Sequence, residues 1–143
     1  MGSTLSLKHY DPAHTDSDIS VNFGEADIFH VGDTYWNGIY PFIDYSTGGS
    51  IDGMIKATEA ILAAVTDRTI VIPGHGAPVS NRAELSAYRD MLVAIRDKVS
   101  RLKQQGRSLE ETIAAKPTAL FDAHWGQFVI TPAVFTRLVY EGV

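Results

Sequence analysis

The spacing of apolar residues along the chain predicts an order of strands. Residues 4–10 and 19–23 alternate apolar and polar side chains, a period of two that is typical of strands. A turn containing glycine separates residues 19–23 from a third apolar run at residues 26–31, so we expect these two segments to pair as a hairpin. Residues 69–72 are β-branched and apolar after the threonine, which indicates a strand that is covered on both faces.

Apolar residues that recur at steps of three and four predict two long helices. The first follows Ser50, a residue type that favours the N-cap position, and the second opens at Asn81 and ends at Gly106. Residues 32–49, which precede the first helix, are rich in glycine and aromatic residues and have no period. This composition predicts a long loop that lies over a functional site.

Two shorter helices are predicted toward the C-terminus. Ser108 and Glu111 have the spacing of a capping box, which starts a third helix. Thr131 and Pro132 suit the cap and the first position of the last helix. The residues of the last helix that we expect to face inward are Val134, Phe135, Leu138 and Val139.

The order of these elements predicts the fold class. Strands followed by a helix, a strand and further helices are typical of an α/β domain with one mixed β-sheet and helices on one face. A length of 143 residues fits a single domain over residues 1–143, and a hydrophobic content of 45% is enough for a core.

Charge and composition exclude several classes of partner. The formal net charge is −5, and the twelve basic residues are scattered, so we expect no nucleic-acid partner. The absence of cysteine excludes disulfides and thiolate zinc sites. No apolar stretch approaches the roughly 20 residues that span a bilayer, and the N-terminus has no signal-peptide pattern. We therefore expect no membrane partner and a cytoplasmic location for the chain as given.

Three side chains suited to metal binding lie where apolar runs end. His14 lies in the segment AHTDSD, Asp33 ends the segment HVGD, and His75 lies in the segment IPGHG. Each residue by itself is more common as a turn or surface residue. Their common position at the ends of apolar runs favours one shared site, because loops at strand ends that face one edge of a sheet can converge on an ion. Imidazole and carboxylate ligands suit Zn, Mn or Fe.

These motifs, taken together, resemble the C-terminal half of the metallo-β-lactamase fold family, from about Leu5 to Val143. The segment YPFID and the following GGS resemble the loop after the bridging carboxylate in one bacterial subgroup of these metallohydrolases. The resemblance implies half of an αββα sandwich. It also implies that His14 binds a first metal, that Asp33 bridges two metals and acts in catalysis, and that His75 binds the second metal.

The family's N-terminal half carries an H-x-H-x-D-H motif, and the sequence as given contains none. The resemblance therefore implies an incomplete site, with zinc the expected metal and Mn or Fe as alternatives. Two functions stay open. The chain is either the C-terminal portion of a zinc-dependent hydrolase, inactive alone, or a non-catalytic half-fold domain that binds metal or forms homo-oligomers.

Four further residues are candidates for the surroundings of the site. We expect Thr15 and Asp18 to support His14, because a ligating imidazole usually donates its other N–H to an oxygen. The alternative for both is a role in a turn or a cap. Trp36 and Tyr40 either line a pocket or hold the loop of residues 32–49 against the body of the domain.

The resemblance also implies a sheet face without cover. In the resembled fold two sheets pack face to face, and one half alone leaves its inner sheet face exposed to water. We expect this face to include Ile19, Val21 and Phe23. Either a second copy of the chain, forming a homodimer through this face, or the missing N-terminal half would cover it.

Overall fold

Four strands form one mixed sheet in a computed structural model that describes residues 4–143. Their order across the sheet is β1-β2-β3-β4, the same as their order along the chain. The first two pairs are antiparallel and β4 is parallel to β3, so the predicted mixed sheet and the hairpin are confirmed. The strands are β1 (Leu5–His9), β2 (Ile19–Phe23), β3 (Ile28–Asn37) and β4 (Ile70–Gly76).

Five helices complete the fold, and the predicted caps start four of them. The helices are α1 (Ile51–Ala64), α2 (Arg82–Gln104), α3 (Leu109–Ala114), α4 (Asp122–Trp125) and α5 (Pro132–Gly142). The side chains of Ser50, Asn81, Ser108 and Thr131 each accept a backbone N–H of the first turn that follows them. In residues 4–143, none of these helices combines the length and the apolar character needed to cross a bilayer.

The helices lie on one face of the sheet, where the core is formed. Helices α1 and α2 pack against β3 and against each other, and α5 packs on both. The sheet side chains that face these helices are buried, including Phe29, Val31 and Val71. The fold is therefore one sheet with a helical layer on one side, as the order of elements predicted.

The opposite face of the sheet is apolar and exposed. Paired residues of neighbouring strands point to the same side of a sheet, and the register places one row of four side chains on this face: Leu5, Phe23, Ile28 and Ile70. We call the apolar side chains of this side the open face: Leu5, Leu7, Ile19, Val21, Phe23, Ile28, Ile70 and Ile72. The exposed fraction reaches 69% at Leu7 and 49% at Ile19. No fixed charge lies among them.

Three details of the prediction are wrong. The segment of residues 32–49 is not a loop throughout, because β3 continues to Asn37 beyond Gly32, which has a φ of +55°. Strand β4 is not covered on both faces, since Ile70 is on the open face and 42% exposed. In α5, Val134 is 40% exposed, because the buried stripe of this helix begins one residue later, at Phe135.

The buried Tyr35 and the half-buried Tyr45 connect the sheet and the following loop to the helices. The Tyr35 hydroxyl lies 2.8 Å from Ser80 Oγ, just before α2, and the Tyr45 hydroxyl donates to the Leu138 carbonyl oxygen in α5. Burial raises the pKa of Tyr35 to about 12 and that of Tyr45 to about 12 as well. These hydroxyls therefore stay protonated donors throughout the ordinary pH range.

The start of α1 packs closely on the loop between β1 and β2 because residue 53 has no side chain. A Cβ at Gly53 would overlap the carbonyl oxygen of Pro12, and the Ser50 N–H donates to the Ala13 carbonyl oxygen at 2.8 Å. The helix and the loop approach each other closely because position 53 is a glycine. The next residue of this loop is His14, so this contact determines where its backbone lies.

We expect Gly53→Ala to destabilise the fold by about 1–3 kcal/mol, because the added methyl group overpacks the contact with Pro12. The sign is opposite to the gain of about 1 kcal/mol that alanine brings over glycine inside an unconstrained helix. Urea unfolding measures the difference. Gly24→Ala is the matched control, since nothing lies within 4 Å of a Cβ there. A Gly53→Ala variant as stable as the wild type would contradict the packing argument.

Candidate functional site

The three residues predicted as metal ligands lie close together: Asp33 within β3, His75 near the carboxyl end of β4, and His14 in the loop between β1 and β2. The two oxygens of the Asp33 carboxylate face different imidazoles: Oδ2 is 3.4 Å from His14 Nε2, and Oδ1 is 3.3 Å from His75 Nε2. We call this arrangement the His14–Asp33–His75 row. Residues separated by 19 and 42 positions in the sequence are therefore neighbours in the fold.

An irregular pairing of β3 and β4 places Asp33 in the middle of the row. Gly32 pairs with Pro73 and Trp36 pairs with His75, so β3 has two more residues than β4 between these pairs. Extra residues of this kind form a bulge, which changes the direction of nearby side chains and is frequent beside functional sites. A Cβ at Gly74 would overlap Asp33 Oδ1, so only glycine leaves room for the carboxylate.

The imidazole of His14 is held by a backbone carbonyl group. His14 Nδ1 lies 2.7 Å from the carbonyl oxygen of Phe42. Because a carbonyl oxygen only accepts, Nδ1 carries a proton and donates it, and in the neutral imidazole this leaves the lone pair on Nε2 for a metal. A second hydrogen bond joins His14 to the segment that contains Phe42: the Asp44 N–H donates to the His14 carbonyl oxygen at 2.9 Å. His14 is thus fixed in ring orientation and tautomer.

Thr15 and Asp18 lie beside His14 without bonding to its imidazole. The Thr15 N–H donates to Asp18 Oδ2 at 2.9 Å, and Asp18 is buried. The imidazole N–H of His14 donates to the Phe42 carbonyl oxygen. We had expected Thr15 or Asp18 to be its acceptor. Their contact closes the turn that carries His14, which agrees with the alternative role in a turn.

The two aromatic candidates have different surroundings. The Trp36 ring lies against His75, with centroids 4.0 Å apart, and its Nε1–H donates to the Asp33 carbonyl oxygen at 3.0 Å. Tyr40 is buried away from the row; its ring stacks on Phe135 at 4.6 Å and its hydroxyl donates to Asp122 Oδ1. Trp36 therefore belongs to the site, whereas Tyr40 holds the loop against the helices.

Exposure differs along the row. The His14 side chain is 14% exposed, Asp33 37% and His75 48%. The His14 and Asp33 end opens into a groove of about 420 Å³, which is also lined by Thr15, Ser17, Asp18, Ile19 and Gly32. A small molecule or an ion can thus reach the carboxylate from solvent.

The donor set fits a pair of metal ions that share Asp33 better than one ion held by all three residues. Among residues 4–143, no three histidine, aspartate or glutamate side chains converge as a ready group for one metal. The row instead has one imidazole at each end of a carboxylate that has two free oxygens. Each ion would receive two protein ligands, whereas catalytic zinc usually has three.

Two parts of this site were beyond sequence reasoning. The acceptor from Phe42 is a backbone carbonyl oxygen, and every residue has one, so no residue type marks it. The stacking of Trp36 on His75 depends on the pairing register of β3 and β4, which no local pattern shows. The segment YPFID did indicate that the loop containing Phe42 belongs near the site.

Comparisons with known proteins identify the fold. No family model and no curated protein matches the sequence. Among solved structures, the sec-alkylsulfatase Pisa1 from Pseudomonas sp. is similar over 98% of this chain and 24% of its own, with a TM-score of 0.75 and 19% identity. The metallo-β-lactamase DIM-1 is similar over 62% of this chain and 41% of its own, with a TM-score of 0.52 and 20% identity.

A third similar structure is the B3 metallo-β-lactamase BLEG-1, which is matched over 63% of this chain and 42% of its own, with a TM-score of 0.51 and 21% identity. The chain spans less than half the length of each of these proteins. Identities of about 20% establish shared architecture and leave chemistry to be argued from the site. The chain therefore has the architecture of half of a metallo-β-lactamase fold.

Proposed function

We propose that this chain provides half of the dinuclear metal centre of a metallo-β-lactamase-like hydrolase, with zinc as the metal, and that it has no hydrolase activity alone. The observation that carries the proposal is the Asp33 carboxylate, whose two oxygens face two different imidazoles at 3.4 and 3.3 Å. A carboxylate in this position is suited to bridging two ions.

The residues of the row have distinct roles in this proposal. His14 presents Nε2 to one ion, because its Nδ1–H is engaged by the Phe42 carbonyl oxygen. His75 would present Nε2 to the other ion, and the Asp33 carboxylate would help to hold both. A bound metal pair would lower the pKa of water and so supply a nucleophile near neutral pH.

The number of ligands is the reason for expecting no activity from the chain alone. Two protein ligands for each ion leave the geometry of the pair poorly defined, and hydroxide generation depends on a fixed coordination sphere with one open position. A partner segment would have to supply the other ligands. The similar proteins include a sulfatase and a β-lactamase, so the fold alone does not determine the substrate.

Zinc binding tests the proposed centre. We expect saturable binding of zinc to the metal-free chain by calorimetry, and affinity at least about tenfold lower in His75→Ala and in Asp33→Asn, because each removes a ligand. His124→Ala is the control, since this histidine lies against Trp125 and outside the row. Equal affinity of the wild type and a triple alanine variant of the row would show that the site does not bind metal.

Turnover tests whether the chain is inactive alone. With zinc added, we expect no measurable hydrolysis of lactam, lactone, sulfate ester, phosphodiester or thioester substrates. Turnover that a chelator stops and that Asp33→Asn abolishes would contradict this expectation. It would mean that further residues of this chain, or of a second copy, complete the centre.

We also propose that the open face is covered by a second copy of the chain, which is the alternative function as a homo-oligomerising half-fold. Five large apolar side chains of this face are exposed by 37–69% (Leu5, Leu7, Ile19, Phe23 and Ile70), and a contiguous apolar patch of this kind marks an interaction surface. The paired positions of this face carry no carboxylate, lysine or arginine, so with neutral His9 and His30, which also lie on it, a two-fold axis brings no like charges together. Sheets readily pack face to face through such surfaces.

Analytical ultracentrifugation tests this dimer. We expect twice the chain mass in the micromolar range and above, and a monomer for Leu7→Asp, because the substitution would bury a carboxylate in the apolar interface. Leu120→Asp is the matched control, since Leu120 is 87% exposed and lies outside the sheet. A monomeric wild type would overturn the homodimer and leave a different sheet-forming segment, such as an N-terminal half, to cover the face.

A further inference from the structure

His75 is the least supported member of the His14–Asp33–His75 row. The Nδ1–H of His14 has the Phe42 carbonyl oxygen as its partner. Within residues 4–143, the structure gives the His75 ring no comparable hydrogen bond, only the contact of Nε2 with Asp33. Its side chain is also 48% exposed. Something other than a hydrogen bond must therefore orient this ring if it is to bind metal.

Trp36 is the side chain that limits the orientation of His75. The two rings lie 4.0 Å apart between centroids, with 33° between their planes, so the indole covers one side of the imidazole. The contact follows from the backbone, because Trp36 and His75 are direct partners in the pairing of β3 with β4. Trp36 itself is only 9% exposed, and its position is therefore well determined.

Trp36 also contacts the other two members of the row. Its Nε1–H donates to the Asp33 carbonyl oxygen at 3.0 Å, which closes the bulge that presents the carboxylate. Its ring centroid lies 6.0 Å from that of His14. One side chain thus adjoins both imidazoles and restrains the backbone of the residue between them.

We propose that Trp36 is a positioning residue of the metal centre, which fixes the ring of His75 by stacking and the bulge at Asp33 by its N–H. This inference rests on the proposed function. A supporting group that orients a metal ligand typically changes metal affinity by about 10–100-fold when it is removed. The two contacts can be separated, because phenylalanine retains a stacking ring and lacks the N–H, whereas leucine lacks both.

Zinc titration of Trp36→Phe and Trp36→Leu provides the first test. We expect affinity to fall about 10–100-fold in Trp36→Leu and by a smaller factor in Trp36→Phe. A double-mutant cycle distinguishes positioning from general destabilisation. The difference in zinc affinity between Trp36→Phe and Trp36→Leu isolates the ring, since both variants lack the N–H. In a His75→Ala background this difference should be much smaller than with His75 present, because the imidazole that the ring orients is gone. In a His14→Ala background, the difference should persist.

The metal-free chain provides a second readout. The aromatic ring of Trp36 should shift the C–H resonances of the His75 imidazole upfield in NMR spectra, and Trp36→Leu should remove this shift. Trp36→Phe should retain part of it, and this conservative variant keeps the test valid if the leucine variant does not fold.

The outcomes separate this inference from the proposed function. A wild type that binds no zinc would overturn both. Zinc binding by the wild type with unchanged affinity in a folded Trp36→Leu variant would overturn the role of Trp36 alone. An equal difference between Trp36→Phe and Trp36→Leu in the His75→Ala background would overturn the positioning of His75, because it would show that the ring acts independently of that imidazole. Absence of the upfield shift would overturn the stacking.

Discussion

The parallel pairing of β3 with β4 is the interaction on which the site depends. It places Asp33 and His75 on neighbouring strands at one edge of the sheet, although 42 residues separate them. The pairing is close enough that a Cβ at Gly74 would overlap the Asp33 carboxylate. The bulge in β3 then directs the Asp33 side chain to a position between the two imidazoles. A regular ladder would have alternated the side chains across the sheet and would not have produced this row.

Contacts with the helices fix the loops that surround this site. The loop that carries His14 is fixed by close contact with the start of α1 and by two hydrogen bonds to the segment containing Phe42. That segment is in turn fixed by Tyr40 and Tyr45, whose hydroxyls donate to groups near the last two helices. The C-terminal helices therefore contribute to the geometry of the site without any residue in it.

The same architecture leaves the other, apolar side of the sheet exposed to water. Burying the open face would stabilise the chain by an amount on the order of 5–10 kcal/mol, since its side chains keep part of their surface in water. This is comparable with the whole stability of a small domain. In the proposed function, one second structural layer would supply both the cover for this face and the further metal ligands.

Local signals in the sequence determined where most elements begin and which residues meet at the candidate site. Caps such as Ser50 and Ser108 act within one turn, and strand β2 follows from its own alternation, so both were predictable. Only the tertiary structure decided the bulge before Trp36, the acceptor at the Phe42 carbonyl, the packing of Tyr40 and the exposure of Ile70. These depend on which distant segment lies opposite, and no pattern within a segment contains that information.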